Sequence, residues 1–219
     1  MQSLTIQQLH QNPECIRGNC VLASGERIRF RILRPDDAEL LGDFFTGLSD
    51  RTRGLFAPHP FTREEARKLC ERIGEDPTLR FVGVASEEGT ERIVAYFLLV
   101  LGINDRDRRR YAEYGIELTD ESDCEVAPCV ADPYQGRRLG GLMMRRILQV
   151  ACRLGRTRAI LLGGVQAPNK RAVRFYRKFR FRQVGSFRTE VENFDMMLDL
   201  AEVDSEMTLG NPAGASATC

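Results

Sequence analysis

The chain has 219 residues, 42% of them hydrophobic, and a formal net charge of +1, which is enough apolar content for a sizeable core and excludes wholesale disorder. Its longest apolar run, Ile93 to Ile103, falls far short of the ~20 residues that span a bilayer. The polar, mixed-charge start from Met1 to Cys20 resembles neither a signal nor a transit peptide. Seven scattered cysteines and two remote histidines, His10 and His59, disfavour a disulfide scaffold and a zinc module, so the expectation is a reduced, soluble, cytoplasmic protein with no metal. The near-zero net charge hides an asymmetry. Between Pro133 and Thr189 there is no Asp or Glu and there are fifteen Lys or Arg, while the rest of the chain holds seventeen basic and thirty-one acidic residues. Such a segment suits a polyanion, whether nucleic acid, a lipid headgroup or a phosphorylated cofactor, unless it is only a solvated basic face.

In chain order, residues 1–26 carry little periodicity and read as a loosely attached extension. Apolar and basic residues alternate over Arg27–Arg34, predicting a half-buried strand. Pro35-Asp36-Asp37 opens a helix with Leu40, Leu41, Phe44, Phe45 and Leu48 on one face. Thr62 and Glu65 form a capping-box pattern ahead of a second helix over 63–73. Strands are expected at Leu79–Ala85 and Ile93–Leu101, followed by a hydrophilic insertion, Asn104–Asp123, longer than an ordinary hairpin loop. A strand at Cys124–Ala131 leads into an amphipathic helix over Gly136–Leu154. A short strand at Arg158–Leu162, a helix over Asn169–Phe179 and a closing antiparallel pair, Gln183–Arg188 and Phe194–Leu200, complete a mixed α/β domain. After Glu202 the composition is that of a disordered tail.

The passage that carries chemistry is CEVAPCVADPYQGRRLGGLMM, a strand passing through a tight turn into a helix. Gly136, Gly140 and Gly141 are expected at the start of that helix, where backbone N–H groups lack partners and the dipole is positive, an anion site suited to a pyrophosphate. Arg137 and Arg138 add charge beside it. The sequence matches neither a dinucleotide fingerprint nor a P-loop.

Gln135-Gly136-Arg137-Arg138-Leu139-Gly140 instead resembles the Q/R-x-x-G-x-G/A motif of the GNAT superfamily of acyl-CoA-dependent N-acyltransferases. Downstream, Asn169, Ala172, Tyr176 and Phe181 resemble the family's N-x-x-A-x-x-x-Y-x-x-x-G-F. With the element order, the resemblance covers about 27–200, some four-fifths of the chain. It implies the GNAT fold, a mostly antiparallel sheet flanked by helices with the fourth and fifth strands splayed. It divides the chain into an N-terminal extension (1–26), a GNAT domain (27–201) and a tail (202–219). Arg138 and Arg180 stand where the motifs have glycine. Arg138 is expected to take helical dihedrals, and Arg180 a left-handed cap costing roughly 1 kcal/mol.

The resemblance further implies acetyl-CoA as cosubstrate and an amine as acceptor, the amine attacking the thioester directly. The pantetheine arm would lie in the strand gap, against backbone groups of Cys129 and Val130 and beside Asn169, and Pro128 suits a ladder already broken there. The pyrophosphate would sit on Gln135, Gly136, Arg137, Arg138, Leu139, Gly140 and Gly141. Glu125, ten residues before Gln135, lies where one branch carries its general base, and Tyr176 where the family protonates the departing thiolate. The plain readings are a strand-end surface glutamate and a core tyrosine. Asn169 is equally a good helix N-cap. Cys124 and Cys129 have no histidine to activate them, which disfavours an acyl-cysteine, and His59 between two prolines reads as a loop residue. A catalytically idle acyl-CoA sensor remains a competing reading. Nucleic-acid binding is disfavoured, because Phe175, Tyr176 and Phe179 fall on the apolar helix face. Members modify aminoglycosides, polyamines, amino acids, protein N-termini and lysines, and dimers are common among them. The insertion 104–123, tied to the strand bearing Glu125, is expected either to form the acceptor side, with carboxylates for the amine and tyrosines for its aliphatic part, or to be a solvated hairpin.

Overall fold

Two central strands with apolar residues on both faces set the architecture of the chain. The structure, a computed structural model, describes residues 6–202 except 57, 76 and 88, so the expected tail lies, beyond Glu202, outside the described residues. Strands β1 (Gly18–Val21), β2 (Arg27–Ile32), β3 (Thr78–Glu87), β4 (Thr90–Val100) and β5 (Asp123–Val130) pair antiparallel in sequence order, β6 (Arg158–Leu161) joins β5 in parallel, and β9 (Glu192–Asp199) pairs with β6, β7 (Val165–Gln166) and β8 (Arg182–Arg188). Helices lie on both faces of this sheet. The side chains of β3 and β4 alternate between two cores. Phe81, Phe97 and Leu99 meet Met143 and Ile147 of α6 (Leu139–Arg153) on one face. Val82, Tyr96 and Leu98 meet Phe44 and Phe45 of α2 (Ala38–Gly47) and Ala66 of α4 (Arg63–Glu71) on the other. Among the described residues no helix is long and apolar enough to cross a membrane.

Three expectations are corrected by the fold. The N-terminal segment is not loosely attached: α1 (Ile6–Gln11) and the 3-10 turn Pro13–Ile16 bring Leu9 and Ile16 into the core, Leu22 follows them, and β1 pairs with β2. The polar composition of 1–26 conceals these three side chains because they are too widely spaced to read as a period. The insertion 104–123 is not an extended hairpin but carries a helix, α5 (Asp105–Glu113), started by the Asn104 side chain, which accepts from Asp107 N at 2.9 Å. The one buried aromatic of that helix, Tyr111, packs against Ile103, Leu118 and Ile160, so no amphipathic stripe announces it. Helix α6 begins at Leu139, and Gly136, at φ +81°, belongs to the turn before it. A further short helix, α3 (Asp50–Gly54), capped by Ser49, and α7 (Lys170–Lys178) complete the elements.

Candidate active site

The parallel pairing of β5 with β6 covers only Asp123–Val126 against Arg158–Leu161, closed by Leu162 N–H to the Val126 carbonyl at 3.1 Å. Beyond it the chain turns through Gly163 and Gly164, both at positive φ (70° and 74°), and leaves the edge of Ala127–Val130 without that neighbour. On its other side this stretch stays paired with β4, Phe97 opposite Pro128. The expected splay is therefore present, and proline is tolerated because its missing donor falls in a broken ladder. A cavity of about 350 Å³ opens here, lined among others by Ala127, Pro128, Gly163 and Tyr176. The Tyr176 phenol is buried, and that burial, with Cys129 nearby, raises its pKa, so it enters any reaction carrying its proton. Burial likewise pushes the Cys129 thiol up to about 12, and it is not a ready nucleophile.

Just beyond the C-terminal end of β5 stands the glycine turn. Gly141 and Leu142 N–H return to the Arg138 carbonyl (3.1 and 3.2 Å), leaving the amides before them to receive an anion. Arg138 is the N-cap of α6 at φ +67°, left-handed rather than helical as expected, because the chain must reverse there to enter the helix. This costs roughly 1–2 kcal/mol. A Cβ built on Gly140 would meet Val130 Cγ2 at 3.6 Å and Phe175 at 3.7 Å, ordinary contact, so only a longer side chain would obstruct the turn. The Leu139 side chain is in the core, and only its backbone is available to a ligand.

Two of the expected phosphate contacts hold the turn itself. Gln135 Nε2 donates to the Val130 carbonyl (3.0 Å) and Thr52 Oγ1 (3.2 Å), and its Oε1 accepts from Arg171 (2.9 Å). Arg137 pairs with Glu26 at 2.9 Å and lies over the Tyr134 ring, whose hydroxyl also donates to Glu26. The N-terminal hairpin thus braces the turn, which nothing in its sequence announced. A second cavity, about 870 Å³, is lined by Arg137, Arg138, Arg145, Lys178 and Arg180 together with Val21 to Ala23. Asn169 is the N-cap of α7, accepting from Ala172 N at 3.1 Å, and Arg180 takes the expected left-handed φ, +65°.

Glu125 is no surface glutamate. It is buried on β5, and its Oε1 accepts from Asn104 N (3.1 Å) and Asn104 Nδ2 (2.7 Å). Burial first, and the neighbouring Asp107 carboxylate second, raise its pKa well above the ordinary carboxylate range. Asp107 was not singled out from the sequence. It accepts from Gly163 N (2.8 Å) and Asn104 Nδ2 (2.9 Å) and lines the smaller cavity. Tyr111 and Tyr114, expected over an aliphatic acceptor, instead dock α5: their hydroxyls donate to the Met196 carbonyl (3.0 Å) and to Asp195 (3.0 Å). His59 sits in an aromatic nest with Phe45, Phe56, Phe61 and Tyr96, 3.2 Å from the Tyr96 hydroxyl. Burial lowers its pKa.

A splayed parallel pair, a glycine turn between them and helices on both faces define an acyltransferase scaffold, and comparison with known proteins agrees. Residues 47–181 match the acetyltransferase (GNAT) family, and the chain belongs to that family. An acetyltransferase of Pseudomonas aeruginosa is 31% identical over 137 residues, 61% of this chain and 64% of the relative's own length. The phosphinothricin N-acetyltransferase of Streptomyces coelicolor is 26% identical over 166 residues, 76% of this chain and 88% of that protein. Among solved structures, the GNAT domain of S. lividans PAT superimposes with a TM-score of 0.66 at 21% identity, over 85% of this chain and 98% of that one.

Proposed function

We propose that the protein is an acetyl-CoA-dependent N-acetyltransferase that transfers an acetyl group to a primary amine, whether on a small molecule, a protein lysine or an N-terminus. The observation that carries this reading is the course of β5. It runs from buried Glu125, past the strand gap and Tyr176, to Val130, which is tied by Gln135 to the basic glycine turn. When bound, acetyl-CoA supplies an acetyl group activated as a thioester. The residues present suit it. The turn amides of 136–140 and the Arg138, Arg145, Lys178 and Arg180 side chains would take its phosphates, while the stretch of β5 around Cys129 and Val130 that β6 leaves unpaired, with Asn169, would take the pantetheine amides.

The chain's own residues then handle protons. Glu125, with its raised pKa, accepts one from the incoming ammonium, and Tyr176, protonated by burial, donates one to the departing sulfur. The cavity of about 350 Å³ is of a size for a small amine. The name of the Streptomyces relative supports N-acetylation; phosphinothricin itself is not carried over to this chain. Calorimetry with CoA tests the cofactor half of the reading. Gly140→Glu sets a long side chain and a like charge against the phosphates, so affinity should fall at least tenfold with the fold intact. Unchanged affinity would show that the turn does not hold CoA.

A further inference from the structure

The insertion helix brings a second carboxylate against Glu125. One amide, Asn104 Nδ2, donates to both groups, 2.7 Å to Glu125 Oε1 and 2.9 Å to Asp107 Oδ2. Asn104 N–H and Gly163 N–H saturate those same two oxygens further. The other two oxygens, Glu125 Oε2 and Asp107 Oδ1, are both buried and neither has a hydrogen-bond donor. Arg110 Nη2 lies 2.5 Å from Asp107 Oδ1 as an ion pair without hydrogen-bond alignment, and it is shared with Asp195, which it binds through Nε (3.0 Å) and Nη2 (2.9 Å). Two buried carboxylates, Asp107 and Asp195, therefore share a single guanidinium, while the third, Glu125, is tied to Asp107 through the Asn104 amide. Two buried carboxylates tied to one amide repel each other's charge, and a proton held on the pair relieves that repulsion and gives Glu125 Oε2 the partner it lacks.

We propose that Asp107 and Glu125 act as one proton-accepting pair that shares a single proton, with Asp107 the member at the cavity wall. The proposal rests on Glu125 being the base of the reaction. In the productive form both carboxyls are ionised. An ammonium N–H bond breaks, nitrogen keeps the electron pair, and the proton lodges between the two carboxyls, taking the pair from two negative charges to one. The partner raises the proton affinity of the pair towards that of an alkylammonium, which a lone carboxylate does not reach. The titratable groups facing the pair are Arg110 and Tyr111 from the insertion helix and Asp195 from β9. Arg106 also lines the cavity, and the turn at Gly163 offers only a backbone N–H.

The test is the pH profile of kcat/KM for wild type, Asp107→Asn and Glu125→Gln with one amine acceptor. Removing the like charge should move the acidic limb of Asp107→Asn to lower pH by about one unit or more, whereas Glu125→Gln should lose the limb and at least 10²-fold in rate. A limb unmoved in Asp107→Asn would reduce Asp107 to a structural tie and overturn the pair. Wild-type behaviour in Glu125→Gln would instead overturn the base assignment beneath it. Should Asp107→Asn fail to fold, carbon-13 titration of the wild-type side-chain carboxyls decides. Asp107 and Glu125 should share a midpoint, and an Asp107 that titrates apart, in the ordinary carboxylate range, contradicts the proposal.

Discussion

Tyr176 packs its ring against Phe175 and Phe181 while its side chain lines the strand gap, so one residue serves both core and cavity. Tyr176→Phe keeps the ring and removes the proton, and we expect kcat to fall roughly 10²-fold with acetyl-CoA affinity near wild type. Undiminished turnover with a good acceptor would leave Tyr176 a packing residue. Glu125 makes a second prediction, in stability. Its folded pKa lies above its unfolded one, so between the two the native state holds a proton that the unfolded chain has released, and stability falls as pH rises through that window. Urea midpoints against pH should show this decline and Glu125→Gln should flatten it. The motif positions of both residues were legible in the sequence. The burial of Glu125 and its partner Asp107 were not, because they depend on Asn104 and Gly163, which are distant in the chain.

At the scale of the element, the insertion helix is fastened by shape. A Cβ on Gly185 of β8 would overlap the Tyr114 ring, and Tyr114 also bonds Asp195, the partner of Arg110. Gly185→Ala should lever Tyr114 away and destabilise the protein by about 1–3 kcal/mol, and by loosening α5 it should raise the acceptor KM with little change in acetyl-CoA affinity. Equal thermal midpoints and acceptor kinetics would show that α5 is decoration. The sequence of α5 is mostly charged, with Tyr111 its one buried aromatic side chain, which is why a helix there reads as a polar insertion. The strands β3 and β4 and helix α6, rich in buried apolar residues, were visible from their patterns alone.

Over the whole molecule, the N-terminal hairpin and the basic half are mechanically joined through Glu26, Tyr134 and Arg137. Deleting residues 1–22 removes Leu9, Ile16 and Leu22 from the core, each worth about 1.5–3 kcal/mol when fully buried. The denaturation midpoint should drop sharply; an unchanged midpoint would return the segment to the status of an appendage. The charge asymmetry did forecast a basic cavity, yet not that acidic Glu26 from the other half would steady its rim, since that contact joins residues over a hundred positions apart. The central claim is acetyl transfer to nitrogen. It is tested most directly by incubating the protein with acetyl-CoA and a panel of amines, following thiol release and weighing the products. Amine-dependent thiol release, with an acceptor 42 Da heavier by one acetyl group, is the predicted result. CoA binding with no amine-dependent release from any member of the panel would contradict the account and leave an acyl-CoA sensor in its place.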